Sequence, residues 1–207
     1  MPDLSSVLKG AGLSISEDAL EKLAIYDRLL IKWQGAINLI SETTIQDRFN
    51  RHFLDSAQLM KFIPDRNIRL ADLGSGAGFP GMVLAILGIS DVHLIESDVR
   101  KATFLREVSR ETNTPVTIHD RRAEQCKIED VDFFTARALA PLRELLGMFD
   151  HLRTKGRATT CLLLKGAQWQ EELDKARKKW DLQAELFESL TEQEARVIKI
   201  STFSPKS

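Results

Sequence analysis

Four glycines within eight residues leave the chain few options between positions 70 and 81, where it reads LADLGSGAGFPG. An apolar run at 68–73 carries one acid near its end, Asp72. Gly74, Gly76, Gly78 and Gly81 follow, and Pro80 opens a second apolar stretch at 82–87. Glycine tolerates positive φ and lets a ligand approach bare backbone. Proline suits the first turn of a helix, where its missing N–H costs nothing. The pattern is strand, tight glycine turn, helix. Such a turn holds a nucleotide-like ligand at the C-terminal end of a central strand.

Gly76-x-Gly78-x-x-Gly81 formally matches the dinucleotide fingerprint, a weak signal by itself. Asp72 argues for something else. A carboxylate two residues before the first glycine suits a cationic ligand better than a pyrophosphate. S-adenosylmethionine (SAM) carries an ammonium and a sulfonium, and acid-x-Gly-x-Gly-x-Gly resembles motif I of the class I SAM-dependent methyltransferases. A dinucleotide, or a turn that merely packs helix on strand, are the alternatives.

The rest of the chain can be placed around this turn. Residues 1–65 read as helical. Ser14 and Glu17 fit a capping box, Gly35 interrupts the first long helix, and Thr44 with Asp47 fit the cap of the next. Arg51, His52 and Asp55 fall on that second helix, where Asp55 sits one turn from Arg51. From 66 to 207 strands and helices alternate: strands at 68–73, 92–95, 115–119, 131–136 and 159–164, and helices around 102–108, 141–152 and 169–176. Runs at 183–190 and 196–203 read as a closing hairpin. The expectation is an α/β, Rossmann-like, mostly parallel sheet with a C-terminal antiparallel hairpin, preceded by N-terminal helices.

Composition excludes some classes of function. The 207 residues are 43% hydrophobic and 29% charged with net charge -1, so no global basic field advertises nucleic acid. RNA contacts would need local patches such as Arg100 with Lys101, Arg121 with Arg122, or 175–179. Cys126 and Cys161 supply neither a disulfide framework nor a metal site. The start, MPDLSSVLKG, lacks the basic region and apolar core of a signal peptide, and no apolar stretch reaches the length of a membrane span. A cytoplasmic protein is expected.

Several residues sit where chemistry is done in such sheets. Glu96 ends the second strand, twenty residues past Gly76, where an acid accepts from ribose hydroxyls. Ala123 and Glu124 follow the third strand, near the place of an adenine. Arg137 ends the fourth strand; its planar fork suits a carboxylate or phosphate. Lys165 ends the fifth. Each has a plainer reading as a loop acid, a helix-initiating acid, an ion pair or a strand-end lysine. His52 alone on a helix carries no functional signal from its residue type.

In chain order, NLIS at 38–41, RHFLDS at 51–56, DLGSGAGFPG at 72–81, LIES at 94–97, Lys101 with Phe104 and Leu105, RAE at 122–124, RALAPL at 137–142 and LKG at 164–166 resemble the RsmG (GidB) family. These are bacterial 16S ribosomal RNA (guanine-N7) methyltransferases. The resemblance implies a monomer that takes SAM and methylates N7 of one guanine in 16S ribosomal RNA of the small subunit. It implies SAM contacts by Gly74, Phe79, Ala123, Glu124 and Arg137; the glycine motif and the end of the second strand assign Asp72, Gly76, Gly78 and Glu96 to the same ligand. The resemblance puts Arg122, Arg137 and Lys165 near the active site and turns Arg51 and His52 towards it; strand-end topology then assigns Arg137 and Lys165 to the reaction centre, and Arg51, His52, Arg121 and Arg122 to RNA capture. Guanine N7 has a lone pair and no proton to lose, so the transfer is an in-line displacement that needs no general base.

Overall fold

The computed structural model describes residues 4–206. Seven strands form one sheet: β1 (Arg69–Leu73), β2 (Asp91–Ile95), β3 (Thr117–His119), β4 (Phe133–Arg137), β5 (Thr160–Lys165), β6 (Trp180–Glu188) and β7 (Arg196–Pro205). Their order is β3-β2-β1-β4-β5-β7-β6. The first five are parallel, and β7 runs antiparallel to both β5 and β6. The chain order therefore reverses between β1 and β4, and the crevice above that point is where such sheets bind ligands. The expected strands and the closing hairpin are all present.

Period-two alternation distributes the side chains between two buried clusters. Leu70 and Leu162 face one cluster; Ala71, Leu73, Cys161 and Leu163 face the other. The first cluster is covered by the N-terminal helices, Leu4–Gly10 and Glu17–Gln34, and by helices Gly81–Ile86 and Val99–Glu111. Helices Leu142–Leu152 and Trp169–Arg177 cover the second. The N-terminal helices thus share a core with the sheet. Both cysteines are buried free thiols.

Two local expectations need correction. The cap of helix Glu17–Gln34 is Ser16, whose Oγ accepts from the Ala19 N–H at 3.2 Å, and not a box of Ser14 with Glu17. Residue N3 is then an alanine, which cannot reciprocate. The segment expected as one regular helix is instead a chain of irregular turns: a 3-10 turn Glu42–Thr44, a π-helix Phe49–Leu54, an α-turn Asp55–Ala57 and a 3-10 turn Gln58–Phe62. Single π turns cluster at functional sites, and this one carries Arg51 and His52.

Candidate active site

Two cavities open at the C-terminal ends of the strands. The larger, about 650 Å³, lies between the glycine turn, the π-helix, the ends of β4 and β5, and the turn joining β6 to β7. The smaller, about 330 Å³, lies between the glycine turn, Glu96, Ser97 and residues 121–124. Gly74, Gly76, Arg137, Ala138 and Leu139 line both.

The turn is held from beneath. Asp72 shares a strand face with Leu70, so its carboxylate is enclosed under the turn. Oδ1 accepts from the Thr135 hydroxyl at 2.8 Å and Oδ2 from the Gly81 N–H at 3.1 Å. Burial raises its pKa to about 6, against the pull of these hydrogen bonds and of Arg137. Asp72 lines neither cavity. What the structure gives Asp72 is a tie that holds the turn to β4 and to the following helix. Glu96 does line the smaller cavity. Its Oε2 accepts from the Gly76 N–H at 2.8 Å and its Oε1 from the Asp98 N–H at 2.7 Å.

The glycines divide by role. A Cβ on Gly81 would lie 2.4 Å from Leu94 Cδ2 and 2.7 Å from Asp72 Cβ, and one on Gly78 2.6 Å from the Tyr26 hydroxyl. Both serve packing. A Cβ on Gly76 would meet only the Gly74 carbonyl, at 3.8 Å, so it would project into open space on the cavity side. Tyr26, unforeseen in the sequence, is fully buried in helix Glu17–Gln34, and its hydroxyl donates to the Ala77 carbonyl. Its ring stacks on Phe79 at 5.3 Å. Phe79 is itself buried, with His52 stacked at 5.1 Å and the Arg137 guanidinium 5.1 Å from its ring centre. It supports those two side chains more than it offers surface to a ligand.

Arg137 is the hub of the larger cavity. Its Nη1 donates to the Arg51 carbonyl at 2.9 Å and to His52 Nδ1 at 2.7 Å, and lies 3.8 Å from Asp55 Oδ2. Burial lowers the guanidinium's pKa, and Asp55 opposes that shift. A guanidinium only donates, so His52 Nδ1 accepts and the imidazole proton sits on Nε2. From there it bonds to Thr44 Oγ1 at 2.8 Å, and that hydroxyl donates to the Ser41 carbonyl. Burial, with Arg137 and Arg51 nearby, drops the His52 pKa to about 3. His52 is therefore a neutral residue of the cavity wall. Nor does Asp55 pair with Arg51 as the helical spacing suggested. Asp55 Oδ1 accepts from Gln58 at 2.9 Å and from the Thr191 hydroxyl at 2.9 Å, whereas Arg51 pairs with Glu192 at 2.6 Å.

Lys165 lines the larger cavity, but its ammonium is occupied, donating to the Ala140 carbonyl at 2.9 Å and to Glu172 Oε2 at 2.8 Å. The same Glu172 oxygen accepts from the Leu142 N–H at 2.8 Å. Lysine and glutamate together clamp the 138–141 turn, in which Ala138 adopts φ 49°, the left-handed region. This arrangement suits positioning better than contact with reacting atoms. Ala123, Glu124, Arg121 and Arg122 line the smaller cavity beside Lys101. The basic residues expected to act together are thus split, Arg51 at one cavity and Arg121 and Arg122 at the other. The sequence reading missed Thr44, Ala138, Glu172, Thr191 and Glu192 as well as Tyr26. All but Tyr26 line the larger cavity.

Residues 19–198 match the GidB family, described as rRNA small subunit methyltransferase G. The chain belongs to this family. It is 46% identical over 196 residues to the ribosomal RNA small subunit methyltransferase G of Rhodospirillum centenum, covering 95% of this chain and 90% of the relative. With the protein of the same name from Paramagnetospirillum magneticum it is 49% identical over 191 residues, covering 92% of each. Among solved structures, a SAM dependent methyltransferase from Aquifex aeolicus superposes with TM-score 0.57 at 14% identity, over 75% of this chain and 93% of that one. Magnesium protoporphyrin IX methyltransferase (ChlM) from Synechocystis PCC 6803 with bound SAH gives 0.59 at 10% identity, over 90% and 100%. Family membership agrees with the motifs quoted above, and the distant structures share the fold.

Proposed function

We propose that this family member transfers a methyl group from SAM to N7 of one guanine in 16S ribosomal RNA, acting as a monomer on the small ribosomal subunit in the cytoplasm. The observation that carries this reading is the junction of the two cavities. One wall, made of Gly74, Gly76, Arg137, Ala138 and Leu139, serves both. A cofactor in the smaller cavity and a base in the larger would meet across it.

The residues present fit SAM. Glu96 stands at the end of β2 with Ala123 and Glu124 opposite, where a ribose and a purine edge would lie. Gly76 leaves open the volume that a Cβ would take. When bound, SAM supplies an electrophilic methyl carbon on a sulfonium. Glu96 would hold the ribose, and the backbone at 74–76 would hold the amino-acid end.

The protein's own part is orientation. Holding reactants at attack distance lowers a barrier by about 7–11 kcal/mol. No group around Arg137 is set up as a base: His52 Nδ1 takes a proton donor from Arg137, and Asp55 is tied to Gln58 and Thr191. That suits a nucleophile with no proton to remove. Arg137 would then hold a phosphate or guanine O6, leaving N7 free. The larger cavity has room for a base taken from an unpaired stretch of RNA.

The test is methyl transfer from labelled SAM to small subunits and to deproteinised 16S RNA, followed by mapping of the modified base. A single N7-methylguanine is expected. Label on protein, or on no RNA, would defeat the proposal.

A further inference from the structure

Three ion pairs line the larger cavity, and they differ in exposure from floor to rim. Two are inner pairs: Lys165 with Glu172, side chains 6% and 25% exposed, and Arg137 with Asp55, at 20% and 16%. Arg51 and Glu192, at 40% and 41%, form the rim. In the inner pairs the acids also serve the protein: Glu172 caps the Leu142 N–H, and Asp55 accepts from Gln58 and Thr191. Among the described residues the Glu192 carboxylate has one hydrogen-bond partner, Arg51 Nη1 at 2.6 Å. The turn that carries it is seated without that bond. The Thr191 hydroxyl donates to Asp55, the Leu190 N–H donates to Gln58 Oε1 at 2.9 Å, and the Ala195 N–H bonds the Glu192 carbonyl at 3.1 Å.

From this we infer that the Glu192 carboxylate is a placeholder for an RNA phosphate. Arg51 is a phosphate-binding position at the rim of the base pocket, and Glu192 holds its guanidinium there until a phosphodiester displaces the carboxylate. Exchange is cheap because exposed ion pairs contribute little. It is favourable because a guanidinium presents paired donors to phosphate oxygens. The turn remains anchored through Thr191 and Leu190, so the swap moves one side chain and leaves the pocket wall in place. Glu192 also disfavours idle binding of unrelated anions, since any anion must first displace it. The inference rests on the proposal that the substrate is ribosomal RNA.

The test is a double-mutant cycle on the full chain, reading equilibrium binding to small ribosomal subunits and to their deproteinised RNA at several salt concentrations. Glu192→Gln should tighten binding by about two- to fivefold, the equilibrium equivalent of an exposed ion pair. Arg51→Ala should weaken binding and lower the salt dependence by about one counterion. In the Arg51→Ala background, Glu192→Gln should change nothing. Glu194→Gln, an exposed acid on the same turn, controls for the loss of one negative charge and should tighten binding by clearly less. The placeholder is overturned if Glu192→Gln binds no more tightly than wild type, if Glu194→Gln gives the same gain, or if the gain persists without Arg51. Any of these with a wild type that methylates the RNA would leave the broader proposal standing. A wild type that neither binds nor methylates it would remove that proposal instead.

Discussion

The two cavities meet at one wall but are built differently. The smaller draws nearly all its lining from residues 74–139, a single run of strand ends and turns, and its acid works through backbone N–H groups: Glu96 holds those of Gly76 and Asp98. The larger is assembled from distant pieces: the 3-10 turn and π-helix near the N-terminus, the ends of β4 and β5, and the β6–β7 turn. Its contacts run between side chains far apart in sequence, Arg137 with His52, Asp55 with Thr191 and Arg51 with Glu192. A site made of local backbone tolerates surface change but not added volume. A site made of long-range side-chain contacts fails when one hub is removed.

The sharpest way to break this comparison is at Arg137. Arg137→Ala strips donors from His52 Nδ1 and the Arg51 carbonyl and leaves Asp55 without its cation. Removing one member of a buried pair costs on the order of 3–5 kcal/mol. Chemical denaturation should show that loss, and single-turnover methylation at saturating RNA should fall steeply even where SAM still binds. Unchanged stability would mean that the larger cavity does not depend on its hub.

Gly81→Ala against Gly76→Ala probes the local half. The first places a methyl 2.4 Å from Leu94 Cδ2 and 2.7 Å from Asp72 Cβ, and should destabilise by about 1–3 kcal/mol. The second meets nothing closer than 3.8 Å, but forces an alanine into φ 56° and fills ligand space. Its stability loss should be smaller and its loss of SAM affinity, by calorimetry, larger. The reverse ranking would refute the division of the glycines into packing and ligand-facing.

The same contrast explains what the sequence made legible. The strands, the closing hairpin and the glycine turn follow from local period and turn chemistry, and each is readable; the order of the strands in the sheet is not. The enclosure of Asp72 had no such signal, because Leu70 on its own face and Ala71 and Leu73 on the other are all buried. Of the larger cavity beyond the glycine turn, strand-end position gave Arg137 and Lys165, family resemblance added Arg51 and His52, and the rest was not legible. Nothing local marks Thr191 as the partner of Asp55, 136 positions away, or Ala138 as left-handed. For Tyr26, helical spacing among Leu23, Tyr26 and Leu30 signals burial but says nothing of an acceptor 51 residues on.

Tyr26 is also where the N-terminal helices reach the local half. Tyr26→Phe keeps the ring stacked on Phe79 and removes only the donor to the Ala77 carbonyl. One net hydrogen bond is worth about 1 kcal/mol, so SAM affinity should fall by roughly fivefold with little change in RNA affinity. Equal loss in both would place Tyr26 with general stability.

The smallest effect is a pair of opposite pH slopes. His52 has its pKa lowered to about 3 by burial. It is held neutral, so its contribution to stability is complete above the ordinary value of 6.5 and is lost as pH falls towards 3. Asp72 has its pKa raised to about 6 from 3.8, also by burial. Its contribution is complete below 3.8 and is lost as pH rises through 6. A full proton would move stability by about 1.4 kcal/mol per pH unit, and between pH 7 and 6 each site exchanges only a fraction of one, which keeps both effects below the others. In that window, acidification should shrink the melting-temperature advantage of wild type over His52→Gln. It should widen the advantage of wild type over Asp72→Asn, whose amide never ionises. Parallel shifts in the two comparisons would mean that burial does not push the His52 and Asp72 pKa values in opposite directions.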